Sequence, residues 1–110
     1  MNVKLVSLAG AVLALIAAPA FAEDAAIQII LKDHKFTPAE VDAPSGKPLT
    51  LEIVNQDSAA AEFESKDLRV EKVTPAGGKA SVKVRALKPG RYKFFDDYHE
   101  STAQGFLVVK

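Results

Sequence analysis

Apolar and polar residues alternate along most of this chain in short runs, and no stretch keeps a long helical spacing. Leu49-Thr50-Leu51-Glu52-Ile53-Val54-Asn55 alternates, as do Ala80-Ser81-Val82-Lys83-Val84-Arg85 and, until its end, Arg91-Tyr92-Lys93-Phe94-Phe95. Ile27-Gln28-Ile29-Ile30-Leu31 is a short β-branched run, and Gln104-Gly105-Phe106-Leu107-Val108-Val109 closes the chain. A period of two sends successive side chains to opposite faces, so each run reads as a strand with one buried face. Turn-forming groups sit between the runs: Pro44-Ser45-Gly46, Pro75-Ala76-Gly77-Gly78 and Lys88-Pro89-Gly90. Strands spaced at about ten residues with turns between them predict an all-β sandwich. The exception is Ala59-Ala60-Ala61-Glu62-Phe63-Glu64, whose composition favours one short helix or turn.

The first residues follow another pattern. Lys4 precedes an apolar run, Leu5 to Ala18, and then comes Ala20-Phe21-Ala22. A charged start, an apolar stretch too short for a good membrane span and an A-x-A site predict a cleaved secretory signal over residues 1–22. Residues 23–110 would then form one small domain, located in the periplasm and not spanning the membrane. Lys plus Arg and Asp plus Glu balance at 14 each, which argues against a nucleic-acid partner. Cysteine is absent. That removes disulfides, thiol catalysis, zinc–thiolate sites and any copper–thiolate centre.

Chemistry concentrates in Gly90 to Gly105, Gly-Arg-Tyr-Lys-Phe-Phe-Asp-Asp-Tyr-His-Glu-Ser-Thr-Ala-Gln-Gly. This stretch resembles the ligand loop of the cupredoxins, G-x-Y-x-F-x-C-x-x-H followed by Met and Gly. Gly90, Tyr92, Phe94, His99 and Gly105 keep their places. Asp96 stands at the Cys place and Ala103 near the Met place. Phe36-Thr37-Pro38, Val41 and Pro44-Ser45-Gly46 resemble the family's opening segment, and Asn55-Gln56-Asp57 resembles the end of the strand before its first ligand loop. The resemblance implies a cupredoxin-like Greek-key β-sandwich of about seven to eight strands. Soft sulfur ligands select copper and carboxylates suit harder ions, so it also implies a site re-aimed at a non-blue metal.

A narrower resemblance rests on Ala61-Glu62-Phe63-Glu64-Ser65 and Phe95-Asp96-Asp97-Tyr98-His99-Glu100. These segments are similar to the EfeO-type cupredoxin-like proteins, periplasmic partners of bacterial ferrous-iron permeases. That resemblance implies iron (Fe2+/Fe3+) as ligand, ferroxidase-like oxidation of Fe(II), and an inner-membrane iron permease with other periplasmic transport components as partners. Copper (Cu2+) held without a thiolate is the alternative metal, in an accessory or chaperone role. A non-catalytic interaction module is the third alternative.

The candidate metal ligands follow. His99 matches a cupredoxin ligand in type and place, and Asp96 offers a carboxylate three residues before it. Ala61 falls where blue-copper members carry a histidine and binds nothing, so Glu62 or Glu64 is expected to swing in. Those two share one side of an extended strand, with Phe63 on the other. His34, two residues before Phe36, offers a second imidazole. Two histidines plus carboxylates suit non-haem iron. Asp97, Glu100 and Asp57 add negative charge at the same rim, which attracts cations. No nucleophile elbow, phosphate loop or dinucleotide fingerprint is present.

Overall fold

The computed structural model describes residues 25–110. The secretory signal expected over residues 1–22 lies outside them. Nine strands and no helix form among the described residues: β1 Ala25–Lys32, β2 Lys35–Thr37, β3 Glu40–Ala43, β4 Leu49–Asn55, β5 Ala61–Ser65, β6 Val70–Thr74, β7 Lys79–Val84, β8 Gly90–Asp96 and β9 Gln104–Val109. They make two sheets, one ordered β2-β1-β4-β7 and the other β3-β9-β8-β5-β6.

The alternation in the sequence is the alternation in burial. β4 reads buried and half-buried in strict turn, and β7 reads exposed and buried in strict turn. Inner faces supply Ile29, Leu31, Leu49, Leu51, Ile53, Val82 and Val84 from the first sheet, facing Phe63, Phe94, Leu107 and Val109 from the second. Phe36 stands edge-on to both Phe63 and Phe94, and the latter two stack at 5.1 Å. With no disulfide, this apolar and aromatic contact is what holds the sheets together.

Two strands came from segments without a clean alternating signal. Ala59 to Glu64 is not a helix. Residues 61–65 are strand β5, with Ala61, Phe63 and Ser65 buried and Glu62 and Glu64 outward. Long-range pairing with β6 on one side and β8 on the other overrides the local helical preference. β6 is an edge strand whose residues 70–73 are half-buried or exposed, so it carries little hydrophobic pattern. The opening segment also splits, with β2 joining the first sheet and β3 the second.

Gly105 is fixed by space. A Cβ built there would lie 2.6 Å from the Ala39 carbonyl oxygen and 2.6 Å from the Phe94 ring. Both belong to the packed seam between β3, β8 and β9, so neither yields cheaply. Gly105→Ala is expected to lower stability by about 1–3 kcal/mol, the usual cost of overpacking. Urea unfolding monitored by circular dichroism checks this, and a wild-type midpoint would contradict it.

Candidate functional site

Four connections meet at one pole: the turn between β1 and β2, and the β4–β5, β6–β7 and β8–β9 loops. Backbone bonds sew them together. Gln56 N–H donates to the Leu31 carbonyl at 2.8 Å, Asn55 N–H to Gly78 at 2.8 Å and Gly77 N–H to Asp57 at 3.0 Å. Asn55 is buried and works as a hub. Its Nδ2 donates to the carbonyls of Ala59, Thr74 and Pro75, and its Oδ1 accepts the Asp57 N–H at 2.9 Å.

Asp96, the last residue of β8, is fully buried. Its Oδ1 accepts the backbone N–H groups of Glu62 at 2.9 Å and Tyr98 at 3.0 Å. Its Oδ2 lies 2.8 Å from His99 Nδ1. A buried carboxylate is costly unless hydrogen-bonded, and this one has three partners. The bonds join β5, β8 and the loop carrying His99. The loop itself is tight: His99 N–H donates to the Asp96 carbonyl, and Thr102 and Ala103 N–H both donate to the His99 carbonyl.

His34 comes to the same place from the first sheet. Its ring stacks on His99 with centroids 3.9 Å apart and planes inclined by 23°. Its Nδ1 is buried and has no hydrogen-bond partner, with Asp57 Oδ2 at 3.6 Å. The imidazoles keep contact with water, at 45% exposure for His34 and 29% for His99. With each Nδ1 turned toward a carboxylate, Nε2 is the nitrogen each ring has available. Partial burial pushes the Asp57 carboxyl up. The N–H groups of His34 and Asp33, with the nearby imidazoles, outweigh it and hold the carboxyl below its ordinary value.

The other acidic candidates lie elsewhere. Glu62 and Glu64 project from the outer face of the second sheet, where their carboxylates and that of Asp97 come within 4.8 Å of one another. Glu100 borders a neighbouring groove with Glu64, Lys66, Lys93, Phe95 and Asp97. Desolvation raises the proton affinity of Glu62 and Glu64, and the like charges of Glu71 and Asp97 raise it further. The structure thus brings Asp96, His99 and His34 together at the pole. It gathers Glu62, Glu64 and Asp97 on the sheet face, with Glu100 beside them. Strand alternation makes the division: Glu62 touches Asp96 through its backbone, and its side chain points the other way.

The residues at the pole do not fit a copper–thiolate site. Asp96 fills the thiolate place and bonds directly to His99. Ala61 and Ala103, at or near two other ligand places, are buried and carry no donor atom.

The comparisons agree on the fold. Residues 5–109 match the cupredoxin-like domain family model. The chain belongs to the cupredoxin-like domain family. It is 42% identical over 83 residues to an uncharacterized protein of Rickettsia prowazekii (strain Madrid E), covering 76% of this chain and 66% of that protein's length. Auracyanin A, a blue copper protein of Chloroflexus aurantiacus, superposes with a TM-score of 0.69 at 15% identity, over 80% of this chain and 100% of its own. The metal-binding domain of the Streptococcus pneumoniae Cu(I)-exporting P-type ATPase CopA, solved with Cu(I), gives 0.65 at 14% identity, covering 77% and 84%. The purple cupredoxin of Nitrosopumilus maritimus gives 0.57 at 19%, covering 76% and 99%. At such identities these structures share the sandwich with this cupredoxin-like chain; its donor groups are its own.

Sequence reasoning named both histidines and Asp96 as metal ligands; the structure brings the three together, with the Asp96 oxygens already taken by two N–H groups and the His99 ring. It assigned Asp57 only rim charge and missed its grip on the Asp33–His34 turn. The Asn-x-Asp spacing at Asn55 and Asp57, just past a strand end, is the signal that could have exposed it.

Raised carboxyls on Glu62 and Glu64 set the sign of a pH effect. The folded state holds their protons more tightly than the unfolded chain does. Their ionisation therefore costs stability as pH rises through the window above the ordinary value of 4.5. In chelator, Glu62→Gln with Glu64→Gln is expected to flatten the fall in melting temperature above that pH. Parallel wild-type and variant curves would show that the crowding carries no penalty.

Proposed function

We propose that this protein is a periplasmic, non-blue metal-binding member of the cupredoxin-like family that captures Fe(II) at the two-histidine pole for an inner-membrane iron permease. The observation that carries the reading is the His34–His99 pair, with Nδ1 of each ring turned to a carboxylate and Nε2 left over. Metal-binding histidines usually direct the other ring nitrogen to a carboxylate or carbonyl in this way. Imidazole suits iron and copper alike. The secretory pattern of residues 1–22 and the EfeO-like segments around Glu62 and Asp96 support the location and the transport role.

In this reading Fe(II) is cargo. Glu62, Glu64, Asp97 and Glu100 make one face of the domain attractive to cations and raise their local concentration. His99, fixed by Asp96, provides the stationary donor. His34 provides the second, and water fills the remaining positions of an exposed site. Asp96 serves through His99, since its oxygens are already taken by two N–H groups and the ring. Carboxylate oxygens on the adjoining acidic face favour Fe(III), so an ion passing from the pole to that face loses one electron to dioxygen there.

Copper is the second reading, favoured by the same histidine pair and by structural relatives whose names record copper. Titration separates the two. Fe(II) added anaerobically is expected to raise the melting temperature by mass action, and exposure to air to yield Fe(III) faster than in buffer. If only Cu(II) binds, without an intense blue band, the copper-accessory reading replaces iron. His99→Ala and His34→Ala are each expected to abolish most of the response. No shift with either metal would reduce the domain to an interaction module.

A further inference from the structure

We propose that Asp57 is a positioning residue: its carboxylate braces the turn at Asp33 and His34 and draws His34 Nδ1 inward, so that His34 offers Nε2 to a metal ion beside His99. The inference rests on the two-histidine reading of the pole.

Asp33 and His34 are consecutive non-glycine residues with φ of 52° and 57°. They are the two central residues of the β1–β2 hairpin, where Lys32 faces Lys35, and a two-residue hairpin turn calls for that left-handed conformation at both. Asp57 braces the turn. Asp57 Oδ1 accepts the Asp33 N–H at 2.6 Å and Oδ2 accepts the His34 N–H at 2.9 Å. Asp57 is itself anchored, its N–H on Asn55 Oδ1 and its carbonyl on the Gly77 N–H. A carboxylate held at the junction of three loops thus braces the turn from which the His34 ring projects.

The same carboxylate addresses the ring. At 3.6 Å the Oδ2–Nδ1 separation is too long for a hydrogen bond, and the buried Nδ1 has no other partner. The His99–Asp96 pair shows the closed form of this arrangement at 2.8 Å. Rings stacked in nearly parallel planes cannot both hold one ion in plane. One ring must turn, and Asp96 fixes His99. A turn of His34 that closes its distance to Asp57 would complete the missing bond and open the stack together. Asp57 then does for His34 what Asp96 does for His99.

The test is ring-nitrogen NMR on the metal-free protein, followed by titration with Cu(II) and with anaerobic Fe(II). Wild-type His34 is expected to carry its proton on Nδ1, as is His99. Asp57→Asn is expected to shift only His34 toward the Nε2–H form and to weaken metal affinity about tenfold, the low end of such effects. In a His34→Ala background, Asp57→Asn should have no further effect on affinity. A wild-type His34 protonated on Nε2 overturns the proposal without requiring any variant to fold. So does an Asp57→Asn penalty of equal size with and without His34, which would mark a purely structural role. Failure of both metals to bind overturns the functional reading instead, while the tautomer measurement still decides whether Asp57 directs His34.

Discussion

A carboxylate shut away from water has to be satisfied within the fold, and Asp96 organises one end of this molecule around that need. Its two oxygens take the Glu62 and Tyr98 N–H groups and face His99 Nδ1. Removing any one contact would leave a buried charge short of a partner, a far larger loss than the net worth of the bond. The neighbouring sheet strands, the His99 loop and the orientation of the ring therefore depend on a single side chain. Here an internal hydrogen bond ties the last loop to the sandwich.

Strand geometry then sorts the charged groups. Along β5 the buried residues Ala61, Phe63 and Ser65 alternate with Glu62 and Glu64. The same alternation that fills the core sends both glutamates to the outer face, near Asp97. Imidazoles and most acids thus occupy adjoining but separate surfaces. In the proposed function the acidic face would gather cations through its field and the pole would bind them through donor atoms. This arrangement suits loading and release better than a closed cage does, because exposed donors exchange water readily.

Much of the architecture was legible because burial follows a period of two. β4, β7 and β9 could be read directly, and the turns fell at the Pro–Gly clusters. β5 was harder, since Ala and Glu favour helix locally and only pairing with β6 and β8 makes it a strand. β6 lies on an edge, where neither face needs to be apolar along its length. At the site, His99 and Asp96 were singled out by the resemblance of their loop to the cupredoxin ligand loop. The stacking of His34 on His99 was less so, because it joins residues from different sheets. The role of Asp57 depends on backbone angles at Asp33 and His34, which no periodicity reports.

The order of the second sheet has a consequence for how the chain acquires its shape. β9, Gln104–Val109, lies between β3 and β8, parallel to one and antiparallel to the other. The six residues of β9 thus form an interior rung. A nascent chain lacking them has a gap in the middle of a sheet, with β3 cut off from the remainder. The second sheet cannot close until β9 is in place, so the domain is poorly suited to folding piecemeal from its amino end.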